Sequence, residues 1–404
     1  MSLYKASSRL ALLPSSAPWL LVKGAHLYEP NDLGSCDLLA IGSQIAMIDS
    51  DIKCWSAENG RVLNAEGLIM IPGLIDAHQH VLGGGGEGGP GTRQSEIRIE
   101  EIVQGGLTTV VGALGFDSTS KDVRCLLGKI QELRVKGISA YMLVGAYHWD
   151  SSSATLTGSI IDDIAFVEQV LGIKIAISDH RGLFSDWRAL SHIAAQARMG
   201  GLVSGKCGIV NVHVGHGINA MKPLFEIIEN TGIPVNQFYP THVNRSQRHL
   251  EDALRFGKLG GMIDITAGIA PHLGFVESIK PSDAVIWLVE KGINPDGITF
   301  TSDANGNMIK RDNSGNVVEL VVQSVSHLIE EVRDLIVSHK YPISDALRLV
   351  TANPAKVLNL KKKGRLTGGA DADFVLLTPD FKIKTVVSNG KMLYCDGEVY
   401  TAFP

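Results

Sequence analysis

Four histidines, a lysine and an aspartate stand in or at the ends of short apolar runs. They are His78 and His80 after LIMIPGLIDA, Lys174 inside GIKIAIS, His213 in GIVNVHVG, His242 closing FYPTH and Asp303 in ITFTSDA. Imidazole and carboxylate are the ligand types that suit zinc and similar divalent ions. A His-x-His pair in extended chain puts both rings on one face, because side chains repeat every two residues. Taken singly, each residue has a plainer reading. A lone strand-end histidine is commonly a hydrogen-bonded loop residue, a barrel-strand lysine can snorkel to water, and Asp303 can be a helix N-cap. Their joint occurrence in this order points to a metal site.

Directly after His80 comes VLGGGGEGGPGTR. Gly83, Gly85 and Gly88 spell G-x-G-x-x-G, but Pro90 and Gly91 follow where a dinucleotide site needs a helix, so that reading has little support. Glycines also let a backbone approach a small ligand closely, which makes Gly85 a candidate contact. Glu87 is the charged side chain among these glycines; its plain alternative is a solvated loop carboxylate. Tyr147 ends SAYMLVGAY, Arg181 lies in ISDHRG and Arg245 in PTHVNR. Two arginines beside metal ligands fit bidentate recognition of carboxylates, with a structural ion pair as the competing reading for each.

The elements that must position these groups fall into two sets. Residues from about 18 to 70 alternate in short strands, PWLLVKGAHLYE, CDLLAIGSQIAMID and RVLNAEGLIMIPG, and the piece from Arg365 repeats the pattern with an Asn389-Gly390 turn. The chain ends therefore read as halves of one β-sandwich, residues 1–71 with 362–404. Between them, residues 72–361 alternate buried strand-like runs (LTTVVGAL, SAYMLVGAY, GIKIAIS, GIVNVHVG, IPVNQFYPTH, MIDITAG, ITFTSDA) with helical stretches such as DDIAFVEQVLG and MKPLFEIIENTG. Repeated βα units over this length predict a TIM (β/α)8 barrel, whose chemistry collects at the C-terminal strand ends. A doubly wound open sheet is the structural alternative.

PGLIDAHQH resembles the first-strand metal motif of the amidohydrolase superfamily, and the order His-x-His, Lys, His, His, Asp is similar to its binuclear subclass. That resemblance implies two divalent ions, zinc the expected metal. His78, His80 and Asp303 would hold one, His213 and His242 the other, and a carbamylated Lys174 would be shared. GGGGE, AYH, ISDHR, PTHVNR and TSDANG, spread over nearly the whole barrel, further resemble the bacterial isoaspartyl (β-aspartyl) dipeptidase family. By that resemblance Glu87 takes the substrate ammonium, Tyr147 assists at the scissile carbonyl, Arg181 and Arg245 bind carboxylates, and Asp303 shuttles protons besides binding metal. A hydroxide bridging the metals would attack the β-aspartyl amide of a dipeptide, releasing aspartate and an amino acid. Phe116, in ALGFDS, stands where the family carries a small hydroxyl residue, and Asn307, in DANGN, where serine is usual. Both place the aspartyl side of the pocket in question. A cyclic-amide hydrolase of the dihydroorotase or hydantoinase kind shares the metals without needing Glu87. A non-catalytic descendant is disfavoured because all six ligand positions are filled.

A formal net charge of −5 argues against a nucleic-acid footprint. Hydrophobic residues make up 45% of the 404, enough for a large aliphatic core. Cys36, Cys54, Cys125, Cys207 and Cys395 are scattered and include no CxxC pair, so neither a disulfide framework nor a thiolate zinc site is expected. Pro14 and Pro18 interrupt the apolar run after Lys5 and Arg9, so no signal peptide is expected. No membrane span is expected either, for want of a run of about 18 apolar residues. The expectation is a cytoplasmic homo-oligomer, with an octamer implied by the resemblance.

Overall fold

The computed structural model describes residues 18–53, 59–147, 154–182, 186–312, 314 and 316–400. Lys5, Arg9, the apolar residues up to Ala17, Cys54 and His148 of the AYH motif lie outside the described residues. The front of the chain forms strands β1 (Trp19–Tyr28), β2 (Asp32–Ile41), β3 (Gln44–Asp49), β4 (Arg61–Asn64) and β5 (Ile69–Pro72). β1 pairs antiparallel with β2 and parallel with β4 and β5.

The chemistry-bearing runs are the next eight strands: β6 (Leu74–Gln79), β7 (Leu107–Gly112), β8 (Ser139–Val144), β9 (Val170–Ile177), β10 (Ile209–Val214), β11 (Phe238–Thr241), β12 (Ile263–Thr266) and β13 (Ile298–Thr301). Strands β6 to β11 form one parallel arc and β12 with β13 a second. β12 packs beside β11 and β13 beside β6, so the arcs close into a TIM-like barrel. At the closure His80 N–H donates to the Ala304 carbonyl at 2.9 Å. These strands read as continuous apolar runs because helices cover the outside while side chains fill the inside. Every residue of β9 is buried, Lys174 included.

Helix starts follow local chemistry. Asp122 accepts hydrogen bonds from the N–H groups of Arg124 and Cys125 to cap Val123–Val135, and Asp186 caps Trp187–Ser204. Two expected elements shift. In DDIAFVEQVLG the helix runs Ile160–Phe166 and stops, because Val167 turns extended and Val170 already belongs to β9. In IPVNQFYPTH a 3-10 turn at Val235–Gln237 precedes a strand of only four residues. An unexpected antiparallel hairpin, β14 (Asn307–Arg311) and β15 (Val317–Val322), follows β13.

The back of the chain returns to the front sheet as β16 (Phe374–Leu377), β17 (Ile383–Ser388), β18 (Lys391–Cys395) and β19 (Glu398–Val399). The Asn389-Gly390 turn has positive φ at both residues, 50° and 73°, as a tight hairpin of this hand requires. β16 pairs with β5, so both ends join in one nine-stranded ladder with its own core, including Leu27, Leu38, Met70 and Phe374. The expected sandwich is thus seen as one continuous hydrogen-bonded sheet. Lys363 ties it to the barrel, donating to Asp373 and to Ser139 Oγ, each at 2.6 Å. Among the described residues no helix is long and apolar enough to cross a membrane, and Cys36, Cys125, Cys207 and Cys395 are free thiols.

Candidate metal centre and substrate cavity

His78 lies in β6 and His80 just beyond it, with ring centroids 5.4 Å apart. The His78 ring is 5.5 Å from that of His242, which in turn is 4.6 Å from that of His213. Asp303 reaches in from the end of β13, its Oδ1 3.1 Å from His80 Nε2 and 3.7 Å from His78 Nε2. His242 and Asp303 hold φ of 67° and 54°, a left-handed conformation that costs a non-glycine residue energy and recurs at functional sites.

Each ring has at least one nitrogen held by a neighbouring residue. His78 Nδ1 donates to Asn211 Oδ1 at 2.9 Å, His80 Nδ1 to the Ala113 carbonyl at 3.1 Å, and His213 Nε2 to Asp179 Oδ2 at 3.0 Å. His242 Nδ1 pairs with Thr266 Oγ1 at 2.8 Å. Such partners fix the tautomer and orientation of metal-binding histidines. Burial takes the His213 imidazole down to about 3 and those of His78 and His242 well below their ordinary value, leaving the neutral form that binds metal.

The donor set fits a divalent ion. Ligand atoms of His78, His242 and Asp303 all lie within 4.8 Å of one another. His78 Nε2 and Asp303 Oδ1 are buried with no hydrogen-bond partner among the described residues; the contact of Oδ1 with His80 is short but not aligned as a hydrogen bond. Burial works to raise the Asp303 carboxyl, yet His80, His78 and Lys174 together hold it below the usual carboxylate range. Lys174 is fully buried, and burial pushes its ammonium down to about 8; its Nζ donates to the Leu114 carbonyl at 2.9 Å.

Over this centre opens a cavity of about 340 Å³. Of the residues expected at the site, all but His78 and Lys174 line it: His80, Gly85, Glu87, Phe116, Tyr147, Arg181, His213, His242, Arg245, Asp303 and Asn307. Gly85 has φ 89°, and a Cβ there would lie 2.2 Å from the Thr92 carbonyl oxygen. Gly85 is therefore demanded by the backbone returning at Thr92, and a 3-10 turn at Pro90–Thr92 follows the glycine run in place of a helix. Tyr147 Oη sits 3.1 Å from His213 Nδ1, and burial keeps its phenol protonated well above the ordinary value. Arg181 is paired within the chain, through Nη2 to Asp179 at 2.7 Å and Nη1 to Glu87 at 3.1 Å. Arg245 Nη1 lies 3.0 Å from His216 Nε2. The Phe116 ring meets the Tyr147 ring edge to face at 6.0 Å and lies 5.8 Å from the Arg181 guanidinium. Asn307 Nδ2 is 3.5 Å from the Thr92 carbonyl oxygen.

Sequence reasoning did not single out Asp179, Asn211, Thr266, His216 or Gln323. Asp179 carried a signal, since it stands two residues before Arg181 in the same motif. The others become neighbours only when the strands close.

Residues 210–393 match the amidohydrolase family. The β-aspartyl dipeptidase of the thermophilic keratin degrader Fervidobacterium islandicum AW-1, solved in complex with β-Asp-Leu, is 36% identical, with a TM-score of 0.87 over 95% of this chain and 99% of that one. A dihydroorotase of Lactobacillus johnsonii is 22% identical over 395 residues, 88% of each protein. An adenine deaminase of Methanothrix thermoacetophila is 23% identical over 392 residues; the match takes in 95% of this chain but spans only 59% of that relative's length. The chain belongs to the amidohydrolase family, and within it resembles the β-aspartyl dipeptidases.

Proposed function

We propose that this hydrolase cleaves the β-aspartyl amide bond of isoaspartyl dipeptides. The observation that carries the reading is the pairing of Glu87 with Arg181 at 3.1 Å in the wall of a cavity that Tyr147 and the metal-ligand cluster share. A carboxylate beside a guanidinium complements the ammonium and carboxylate of an amino-acid head, which a β-linked aspartate keeps free. Two zinc ions, held by His78, His80, Lys174 as its carbamate, His213, His242 and Asp303, would when bound supply polarisation of the carbonyl and acidification of water.

The chain's own groups do the rest. Glu87 takes the α-ammonium and the arginines take carboxylates, with Gly85, Phe116 and Asn307 shaping the aspartyl side. Tyr147, held protonated by burial, donates to the carbonyl oxygen as charge develops there. Asp303 accepts the proton lost by the attacking water and returns it to the nitrogen as the C–N bond breaks. Aspartate and a free amino acid leave. The division into a catalytic unit of residues 72–361 and an accessory unit of 1–71 with 362–404, and a cytoplasmic homo-oligomer, belong to the same reading.

Zinc-reconstituted protein should turn over β-Asp-Leu and leave α-Asp-Leu and dihydroorotate untouched. The dihydroorotase match at 22% identity makes the last substrate the informative control. Faster turnover of dihydroorotate than of β-Asp-Leu would replace this reading with the cyclic-amide one.

A further inference from the structure

Gln323 lines the cavity, and the mechanism above gives it no task. It follows β15, and its backbone is fixed on both sides: its N–H donates to the Gly306 carbonyl at 2.9 Å and its carbonyl accepts from Asn305 N–H at 3.0 Å. The residue is only 4% exposed, yet neither Nε2 nor Oε1 of its side chain has a hydrogen-bond partner among the described residues. A carboxamide offers two donors and an acceptor, and burying it unpaired is costlier than burying an apolar side chain of the same shape.

The fold makes room for this group. A Cβ on Gly268 would fall 2.3 Å from Gln323 Oε1 and 2.9 Å from its Cδ, so the amide occupies space that a larger residue there would take. Arg245 lines the same cavity with a second orphaned donor, its buried Nε. Arg181, by contrast, is already engaged by Asp179 and Glu87. Ile269 and Phe275 add apolar lining to the same cavity.

We infer that Gln323 is a substrate-binding, specificity-determining residue on the leaving-residue side of the cavity. It acts with Arg245 on the free carboxylate of the amino acid to be released, Nε2 donating to a carboxylate oxygen. The inference rests on the dipeptidase reading, with Glu87 and Arg181 taken up by the aspartyl head. The ligand class is therefore a β-aspartyl dipeptide with a free C-terminal carboxylate, preferred over one whose carboxylate is capped.

The test compares wild type, Gln323→Met and Gln323→Glu on β-Asp-Leu and on β-Asp-Leu-amide. Gln323→Met should raise KM for β-Asp-Leu about tenfold, change kcat less than about twofold, and leave KM for the capped substrate unaltered. Gln323→Glu, which sets like charge against the carboxylate, should raise KM for β-Asp-Leu further and erase the preference for the free carboxylate. Zinc content should stay at the wild-type level, and the Tm of ligand-free Gln323→Met should equal or exceed that of wild type, because an unpaired amide is removed. If Gln323→Met folds poorly, Gln323→Asn, which keeps the amide one methylene short, must show the KM rise instead. A wild type active on β-Asp-Leu beside variants with unchanged KM overturns the inference alone. A wild type inactive on β-Asp-Leu overturns the dipeptidase reading and this inference with it.

Discussion

Asp179 accepts a hydrogen bond from His213 Nε2 at 3.0 Å while its two oxygens clamp Arg181, at 2.9 Å from Nε and 2.7 Å from Nη2. One carboxylate thus orients a candidate metal ligand and a candidate substrate-binding cation together. Loss of a carboxylate behind a metal-binding histidine typically costs about 10–100-fold in metal affinity. Asp179→Asn should therefore weaken zinc binding in equilibrium dialysis and raise KM for β-Asp-Leu. A variant with wild-type zinc affinity and wild-type KM would show Asp179 to be structural only.

Lys174 is the only charged residue within β9 and is fully buried beside the cluster. Metal analysis of the wild type should give about two ions per chain. Lys174→Ala should lose metal and activity together, with partial recovery on adding bicarbonate and a short carboxylic acid. Retention of one tightly held ion in an active Lys174→Ala enzyme counts against a bridging carbamate.

Glu87→Gln should bind metal normally yet lose about one to two orders of magnitude in kcat/KM on β-Asp-Leu, since a hydrogen bond to a charged group is worth roughly 1.5–3 kcal/mol. N-acetyl-β-Asp-Leu, which lacks the ammonium, should be cleaved as slowly by the wild type. Equal rates on the free and acetylated dipeptides would mean that the ammonium is not read.

Phe116 sets its ring against the Tyr147 ring and the Arg181 guanidinium. Phe116→Thr should shift KM for isoaspartyl dipeptides severalfold, by exchanging a ring for a hydroxyl worth about 0.5–1.5 kcal/mol as a hydrogen-bond donor. An unchanged KM would remove Phe116 from the binding surface.

Asp117 accepts from Arg93 Nε at 2.6 Å and from Ser120 N–H at 2.9 Å, tying the glycine-rich loop to the loop after β7. Burial works to raise its carboxyl, but the bonds from Ser120 and Arg93 prevail and hold it at about 2 against an ordinary 3.8. A carboxyl depressed in the folded state stabilises above its unfolded value, and that contribution disappears as pH falls through the folded value. The Tm difference between metal-free wild type and Asp117→Asn should be constant above about pH 5 and shrink between about pH 4 and 2. A difference that stays constant through that window would assign the stability to packing.

The candidate metal-site residues were legible because the chain writes them in or at the ends of strands in barrel order, from His78 through Lys174, His213 and His242 to Asp303. Apolar runs of parallel strands announced the barrel for the same reason. What stayed hidden depends on distance in space. Asn211 and Thr266 read as ordinary strand residues until β6 faces β10 and β11 faces β12, when they take up the second nitrogens of His78 and His242. Gln323 was out of reach because β14 and β15 carry few turn signals beyond Asn313 to Gly315, and only their pairing returns the chain to the cavity. The misplaced end of the helix at Phe166 has a local cause: Val167 and Val170 suit an apolar helix face and a buried strand equally well.

Met70 of β5 lies opposite Leu376 of β16, a pairing that bridges most of the chain. A ribosome adding about 5–20 residues per second would expose β5 on the order of tens of seconds before its partner emerges. Throughout that interval the apolar edge Ile69–Pro72 is unpaired, while the whole barrel is being made behind it. Long-range pairing of this kind is slow and open to aggregation. The nascent chain therefore carries a sticky seam at its leading end, and its safe delivery depends on how quickly translation reaches Phe374.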